Sequence, residues 1–111
     1  IAGKQVLLIE DDPLQRKYIG RLLEQAGFQV TTTESAEASL DLVRQRQWEL
    51  IISDVLLPGI NGIDLAKLLK QINPRQKIII VSGEADMDMV LDALEYAHTQ
   101  ISVSTTTVST V

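Results

Sequence analysis

Gln5-Val6-Leu7-Leu8-Ile9-Glu10-Asp11-Asp12-Pro13 sets an unbroken apolar run directly against three carboxylates. A strand with one wet face alternates apolar and polar residues, so a run from Val6 to Ile9 with no polar member predicts a strand buried on both faces, the habit of parallel sheets. Asp12-Pro13 then reads as a helix N-cap followed by proline at the first helical position. Leu14, Tyr18 and Leu22, with Ile19, Leu23 and Ala26, recur at helical spacing until Gly27 stops them. The unit is a buried strand, an acidic turn and a helix.

The same unit recurs along the chain. Phe28 to Thr32 alternates and is β-branched, and Ser35 can cap a helix whose Ala36, Leu40 and Val43 form one stripe. Leu50-Ile51-Ile52-Ser53 is a second buried-type strand, ending on Asp54. Pro58-Gly59 and Asn61-Gly62 mark a loop before a helix carrying Leu65, Leu68, Leu69 and Ile72, closed by Asn73-Pro74. Lys77 to Val81 is another Ile/Val run, ending in Ser82-Gly83, and Met87, Val90, Leu91 and Leu94 space out a fourth helix. Strands alternating with helices at this period predict an α/β fold, a parallel sheet with helices on both faces, because parallel crossovers are right-handed and need a helix-length connection.

The tail departs from this pattern. From Thr99 to Val111, 8 of 13 residues are Ser or Thr and none is charged. Ile101-Ser102-Val103-Ser104 can form a fifth strand, but the residues after it have too little helix propensity and length for a packed fifth helix. The last unit is therefore expected to be incomplete, with residues 1–111 forming a single domain that ends in an atypical Ser/Thr/Val tail over 99–111.

Composition narrows the chemistry. The chain has 111 residues, enough for one core, and 45% of them are apolar, too many for intrinsic disorder. Fifteen acidic against ten basic side chains give a formal net charge of -5, which disfavours direct binding to nucleic-acid phosphates or anionic lipid. There is no cysteine, so disulfides and thiolate chemistry are excluded. Neither a membrane-length apolar run nor a signal-like start is present, and a cytoplasmic location is expected.

In an open parallel sheet, ligands bind beyond the carboxyl ends of the strands where the order reverses. The residues there are Glu10, Asp11 and Asp12 after the first strand, Asp54 after the third, Ser82-Gly83 after the fourth, and Ser104 after the possible fifth. With the first and third strands adjacent, Glu10, Asp11 and Asp54 converge. Like charges that close either raise a pKa or hold a cation, and an all-oxygen set suits Mg²⁺. A carboxylate beside such an ion can act as nucleophile toward phosphorus, and the Ser82 hydroxyl can reach a phosphoryl oxygen. Asp12 is most simply a helix cap. Trp48, Met87 and Met89 read as packing or surface, His98 lacks a second ligand, and Lys67 and Lys70 read as a solvated helix face.

Taken together, Val6 to Pro13, Leu50 to Gly62 and Ile79 to Gly83 resemble the receiver domain of bacterial two-component response regulators, over roughly residues 4 to 97. The resemblance implies a flavodoxin-like sheet of five parallel strands in the order 2-1-3-4-5. It also implies that Asp54 is the phospho-acceptor. Glu10, Asp11, Asp54 and the Leu56 backbone carbonyl would hold Mg²⁺, and Ser82 would be the switch hydroxyl. The expected partner is a sensor histidine kinase or a phosphotransfer protein, and the expected role is that of a signalling phospho-acceptor, with no enzyme activity beyond its own phosphoryl transfer and dephosphorylation.

Receivers usually carry a lysine followed by proline at the end of the fifth strand, and alignment puts Ser104 and Thr105 there, with Ile101 where an aromatic switch residue is common. Two readings meet this departure: a diverged receiver with weakened transfer, or a tail over the last dozen residues that is not the native continuation. The abrupt change in composition near residue 97 fits the second better. A sheet face without its fifth helix invites self-association into a homodimer. The rival function is a receiver-like interaction module that is not phosphorylated. A flavodoxin-like cofactor binder is disfavoured because Glu10-Asp11-Asp12 would repel a phosphate. A haloacid-dehalogenase-type phosphatase expects a second Asp where Leu56 stands.

Overall fold

The computed structural model describes residues 4–54, 56–82 and 105–109. The elements run β1 (Gln5–Ile9), α1 (Pro13–Gln25), β2 (Gln29–Thr33), α2 (Ala36–Gln45), β3 (Leu50–Asp54), β4 (Leu56–Leu57), β5 (Ile60–Asn61), α3 (Gly62–Ile72), β6 (Ile78–Ser82) and β7 (Thr105–Ser109). Five of the strands form one sheet in the order β2-β1-β3-β6-β7, every pairing parallel. Counting only these five, the order is 2-1-3-4-5, as the resemblance implied.

The uninterrupted apolar runs are explained by the two faces they serve. Along β1, Val6 and Leu8 join Leu50, Ile52 and Ile79 in a cluster with Ile19 and Leu23 of α1 and with Phe28. Leu7 and Ile9 point the other way, joining Ile51, Ile78 and Ile80 against Val43 of α2 and Leu65, Ala66 and Leu69 of α3. Alternate residues of one strand thus supply opposite cores, and no position from Val6 to Ile9 is free to be polar. Ile52 is 1% exposed and sits mid-sheet against the α1 layer. Ile52→Ala should therefore cost about 2–5 kcal/mol of unfolding free energy. A urea titration should show an earlier midpoint with an unchanged slope.

Local signals place the helix ends. The Asp12 side chain accepts from the Leu14 N–H, Ser35 from Ala38 and Asn61 from Ile63, so α1, α2 and α3 all start on a side-chain cap. Helix α1 ends in two backbone bonds, Gly27 N–H to the Glu24 carbonyl at 3.0 Å and Phe28 N–H to the Leu23 carbonyl at 3.1 Å. That closure needs a left-handed residue, and Gly27 has φ 99°. It also turns Phe28 back into the cluster that holds Leu23.

Four details differ from the sequence expectations. In α1 the buried line is Ile19 and Leu23, while Leu14 and Tyr18 are 79% and 53% exposed. They precede that line by one residue, a rotation of about 100° that carries them off the core. Leu68 of α3 is likewise exposed at 39%. The loop at Pro58-Gly59 is a small antiparallel hairpin, Leu57 facing Ile60 and Leu56 facing Asn61, turned by Gly59 at φ 81°. The strand described beside β6 is Thr105–Ser109, in register from Ile78 with Thr105 to Ser82 with Ser109, a stretch that the sequence pattern does not mark as a strand. The fourth helix, Gly83, Met87, Met89, His98 and residues 101–104 lie outside the described residues, as does anything after Ser109. None of the described helices is long and apolar enough to cross a membrane.

Candidate metal and phospho-acceptor site

Strand β1 passes to β2 on one side through α1, and the chain returns to β3 on the other side of β1. The carboxyl ends of β1 and β3 therefore face the crevice of the sheet's switch point. Ile9 pairs with Ser53 and Asp54 with Val81, which brings Glu10, the residue after β1, level with Asp54, the last residue of β3.

Glu10, Asp11 and Asp54 each offer a carboxylate oxygen, and these oxygens all lie within 4.8 Å of one another. Their environments differ. Glu10 is buried at 6% exposure, Asp54 is half-buried and Asp11 faces solvent. The Glu10 N–H donates to the Thr33 carbonyl at 3.0 Å, continuing the β1-β2 ladder one residue further and fixing the backbone there. Burial, together with the neighbouring charges of Asp54, Asp11 and Asp12 and a hydrogen bond between the Glu10 and Asp54 side chains, pushes the Glu10 carboxyl up to about 8. Its Oε2 is buried with no hydrogen-bond partner. A buried oxygen left unmatched beside two further carboxylates fits a site for a cation.

That donor set suits Mg²⁺. It is all oxygen, it contributes a few carboxylates rather than a full cage, and its exposed side at Asp11 leaves room for waters and a phosphoryl group. Leu56 lies two residues beyond Asp54 on β4, and Ser82 closes β6 one residue past Val81, the partner of Asp54.

Asp12 keeps to capping. Its Oδ1 accepts from the Leu14 N–H at 3.0 Å, and it is not one of the three clustered acids. Asp12→Ala should cost about 1 kcal/mol of stability while leaving Mg²⁺ affinity within about twofold, which paired melting and calorimetric titrations would resolve. Ser104 lies outside the described residues. The β7 residue level with Ser82 is Ser109. The tail still brings no lysine to that level. Trp48 and Lys67 keep the ordinary roles expected of them. The Trp48 indole is buried, donates to the Leu42 carbonyl and carries the Arg46 guanidinium 4.2 Å above its ring. Lys67 is exposed beside Asp64.

Arg16 is the contributor that spacing did not single out. Its Nη1 donates to the Glu10 carbonyl at 3.0 Å and to the Asp11 carbonyl at 3.4 Å, and lies 4.0 Å from a Glu34 carboxylate oxygen. The available signal was a basic residue in the opening turn of a helix, where the dipole disfavours it.

A parallel five-stranded sheet with an acidic trio at its switch point defines the receiver class of signalling domains. The family model for the response regulator receiver domain matches residues 6–102, and the chain belongs to that family. The response regulator receiver protein CpdR of Brucella abortus is 32% identical over 82 residues, covering 74% of this chain and 68% of that protein. The cell cycle transcriptional regulator CtrA of Caulobacter vibrioides is 37% identical over 84 residues, covering 76% of this chain and 36% of the regulator. Among solved structures, a receiver domain from Methylobacillus flagellatus superposes with a TM-score of 0.69 at 28% identity, covering 74% of this chain and 71% of that one. The response regulator TrrA of Thermotoga maritima, in complex with Mg²⁺-BeF, gives a TM-score of 0.72 at 25% identity, covering 95% of this chain and 85% of that one. The chain spans 44% of the transcriptional regulatory protein FixJ and 20% of DctD, two further relatives.

Proposed function

We propose that this receiver domain accepts a phosphoryl group on Asp54, with Mg²⁺ held by Glu10, Asp11, Asp54 and the Leu56 backbone carbonyl. The observation that carries this reading is the convergence of three carboxylate oxygens within 4.8 Å, one of them on a buried side chain with an unmatched oxygen. When bound, Mg²⁺ supplies positive charge that offsets the trio and orients phosphoryl oxygens. Asp54, at the end of a rigid central strand, presents its carboxylate oxygen for in-line attack on phosphorus. A P–O bond forms at Asp54 as the bond to the donor nitrogen or oxygen breaks, and the leaving group keeps that electron pair. Ser82, at the end of the neighbouring strand, hydrogen-bonds the new phosphoryl group through its hydroxyl and couples it to the adjoining surface.

The donor on this reading is a phosphohistidine of a sensor kinase or a phosphotransfer protein, in the cytoplasm, and the domain acts as a signalling phospho-acceptor. Incubation with Mg²⁺ and acetyl phosphate tests it. Intact mass should rise by one phosphoryl group, and chelation with EDTA should abolish the gain. One observation favours the second reading, an interaction module that is not phosphorylated: no lysine stands level with Ser82 on β7. An unchanged mass after prolonged incubation, in protein that still binds Mg²⁺, would select it.

A further inference from the structure

We propose that Arg16 is a positioning residue for the cation site, holding the β1-α1 turn in the shape that brings Glu10 and Asp11 to Asp54. The inference rests on the Mg²⁺ reading above, and it assigns a task to a side chain that would carry none of the ligand atoms. Arg16 is the fourth residue of α1, and its own N–H makes the first helical bond, to the Asp12 carbonyl at 2.9 Å. Side chains lean toward the amino end of their helix, so from this position the guanidinium folds back over the turn it follows. There it donates to two successive carbonyls, Glu10 at 3.0 Å and Asp11 at 3.4 Å, on the two residues that contribute ligands from this turn. It also lies 4.0 Å from Glu34, just past β2, which ties the turn to the neighbouring loop.

Two considerations favour a task at the site over general support. The opening turn of α1 contains no acidic residue and instead carries Arg16, against the preference of a helix amino end for negative charge. The hydrogen bonds to the two carbonyls offset that placement. Further, the turn must hold Glu10 and Asp11 close to Asp54 before any cation arrives, and a guanidinium bonded to its backbone carbonyls restrains the turn without occupying the ligand oxygens. Both bonds leave one nitrogen, Nη1, which the planar guanidinium at the end of the longer side chain holds over the turn.

The test compares the full chain with Arg16→Ala and Arg16→Lys by calorimetric Mg²⁺ titration, thermal melting without Mg²⁺, and amide exchange over Glu10 to Asp12. Residues that orient metal ligands typically cost about 10–100-fold in affinity when removed. Arg16→Ala should raise the Mg²⁺ dissociation constant by about tenfold and speed exchange in the turn, with Arg16→Lys recovering only part of the loss. A lower melting temperature with an unchanged Mg²⁺ dissociation constant in Arg16→Ala would overturn the proposal and leave Arg16 a structural strut. So would full recovery by Arg16→Lys, since charge alone would then suffice. Failure of the unsubstituted protein to bind Mg²⁺ would overturn the cation reading itself, a result separable from either of these.

Discussion

Asp54→Asn is expected to abolish phosphoryl incorporation while raising, above pH 8, the melting temperature of the metal-free protein. The carboxamide keeps the size and much of the hydrogen-bonding capacity of the carboxylate but has no anionic oxygen to attack phosphorus, so the mass gain with acetyl phosphate and Mg²⁺ should vanish. The stability change has the opposite sign because the carboxylates of Glu10, Asp11 and Asp54 meet within 4.8 Å. Asp54 is the leading neighbouring charge that, after burial, holds Glu10 up at about 8. Above pH 8, where Glu10 is ionised, removing that charge relieves repulsion of the order of 1 kcal/mol at an effective dielectric constant near 20, discounted for the solvent at Asp11. The corresponding rise in melting temperature is about 4 °C. A variant that still gained a phosphoryl mass would place the acceptor elsewhere. One that lost stability would show that the trio does not repel.

The second large effect is on pH dependence. Glu10 has an ordinary value of 4.5 and stands at about 8 in the folded protein. The folded state therefore holds a proton that the unfolded state has released across that whole interval. Stability contributed by this group is complete below pH 4.5 and is lost as pH rises toward 8, with a slope of at most about 1.4 kcal/mol per pH unit. This is the reverse of the usual carboxylate, whose depressed pKa makes acid destabilising. Urea midpoints of the metal-free protein should fall between pH 5 and pH 8, and Glu10→Gln should flatten the profile. A cation that needs the ionised carboxylate must displace that proton, so the stabilisation by Mg²⁺ should grow over the same interval. A midpoint that rises with pH in the absence of metal, with Glu10→Gln indistinguishable from the parent, would contradict this assignment.

Most of the architecture was legible because buried parallel strands and capped helices leave strong local marks. Val6 to Ile9 is apolar throughout because alternate residues feed opposite cores, and that run identified the central strand. Asp12 and Ser35 stand where caps are required and each accepts the expected backbone N–H, while Asn61, read only as part of a loop, caps α3 in the same way. The carboxylate trio was legible for a topological reason: adjacency of β1 and β3 places whatever follows Ile9 beside whatever ends β3. What local pattern could not supply was register and rotation. The tail has β-branched residues on both sides of Ser104, so its composition does not fix where a strand lies, whereas pairing with β6 places one at 105–109. Leu14 and Tyr18 fall at helical spacing but one residue off the buried line, a distinction visible only once Ile19 and Leu23 are packed. Arg16 escaped notice because its bonds go to backbone carbonyls, which have no side-chain signature.

Calorimetric titration of Mg²⁺ into the parent protein, Glu10→Gln, Asp11→Asn and Asp54→Asn at pH 8 probes the site most directly. Saturable binding in the parent, weakened in each of the three variants, is the outcome required by a cation gripped between these side chains. Equal affinity in all four proteins would mean that the acids gather for some other reason.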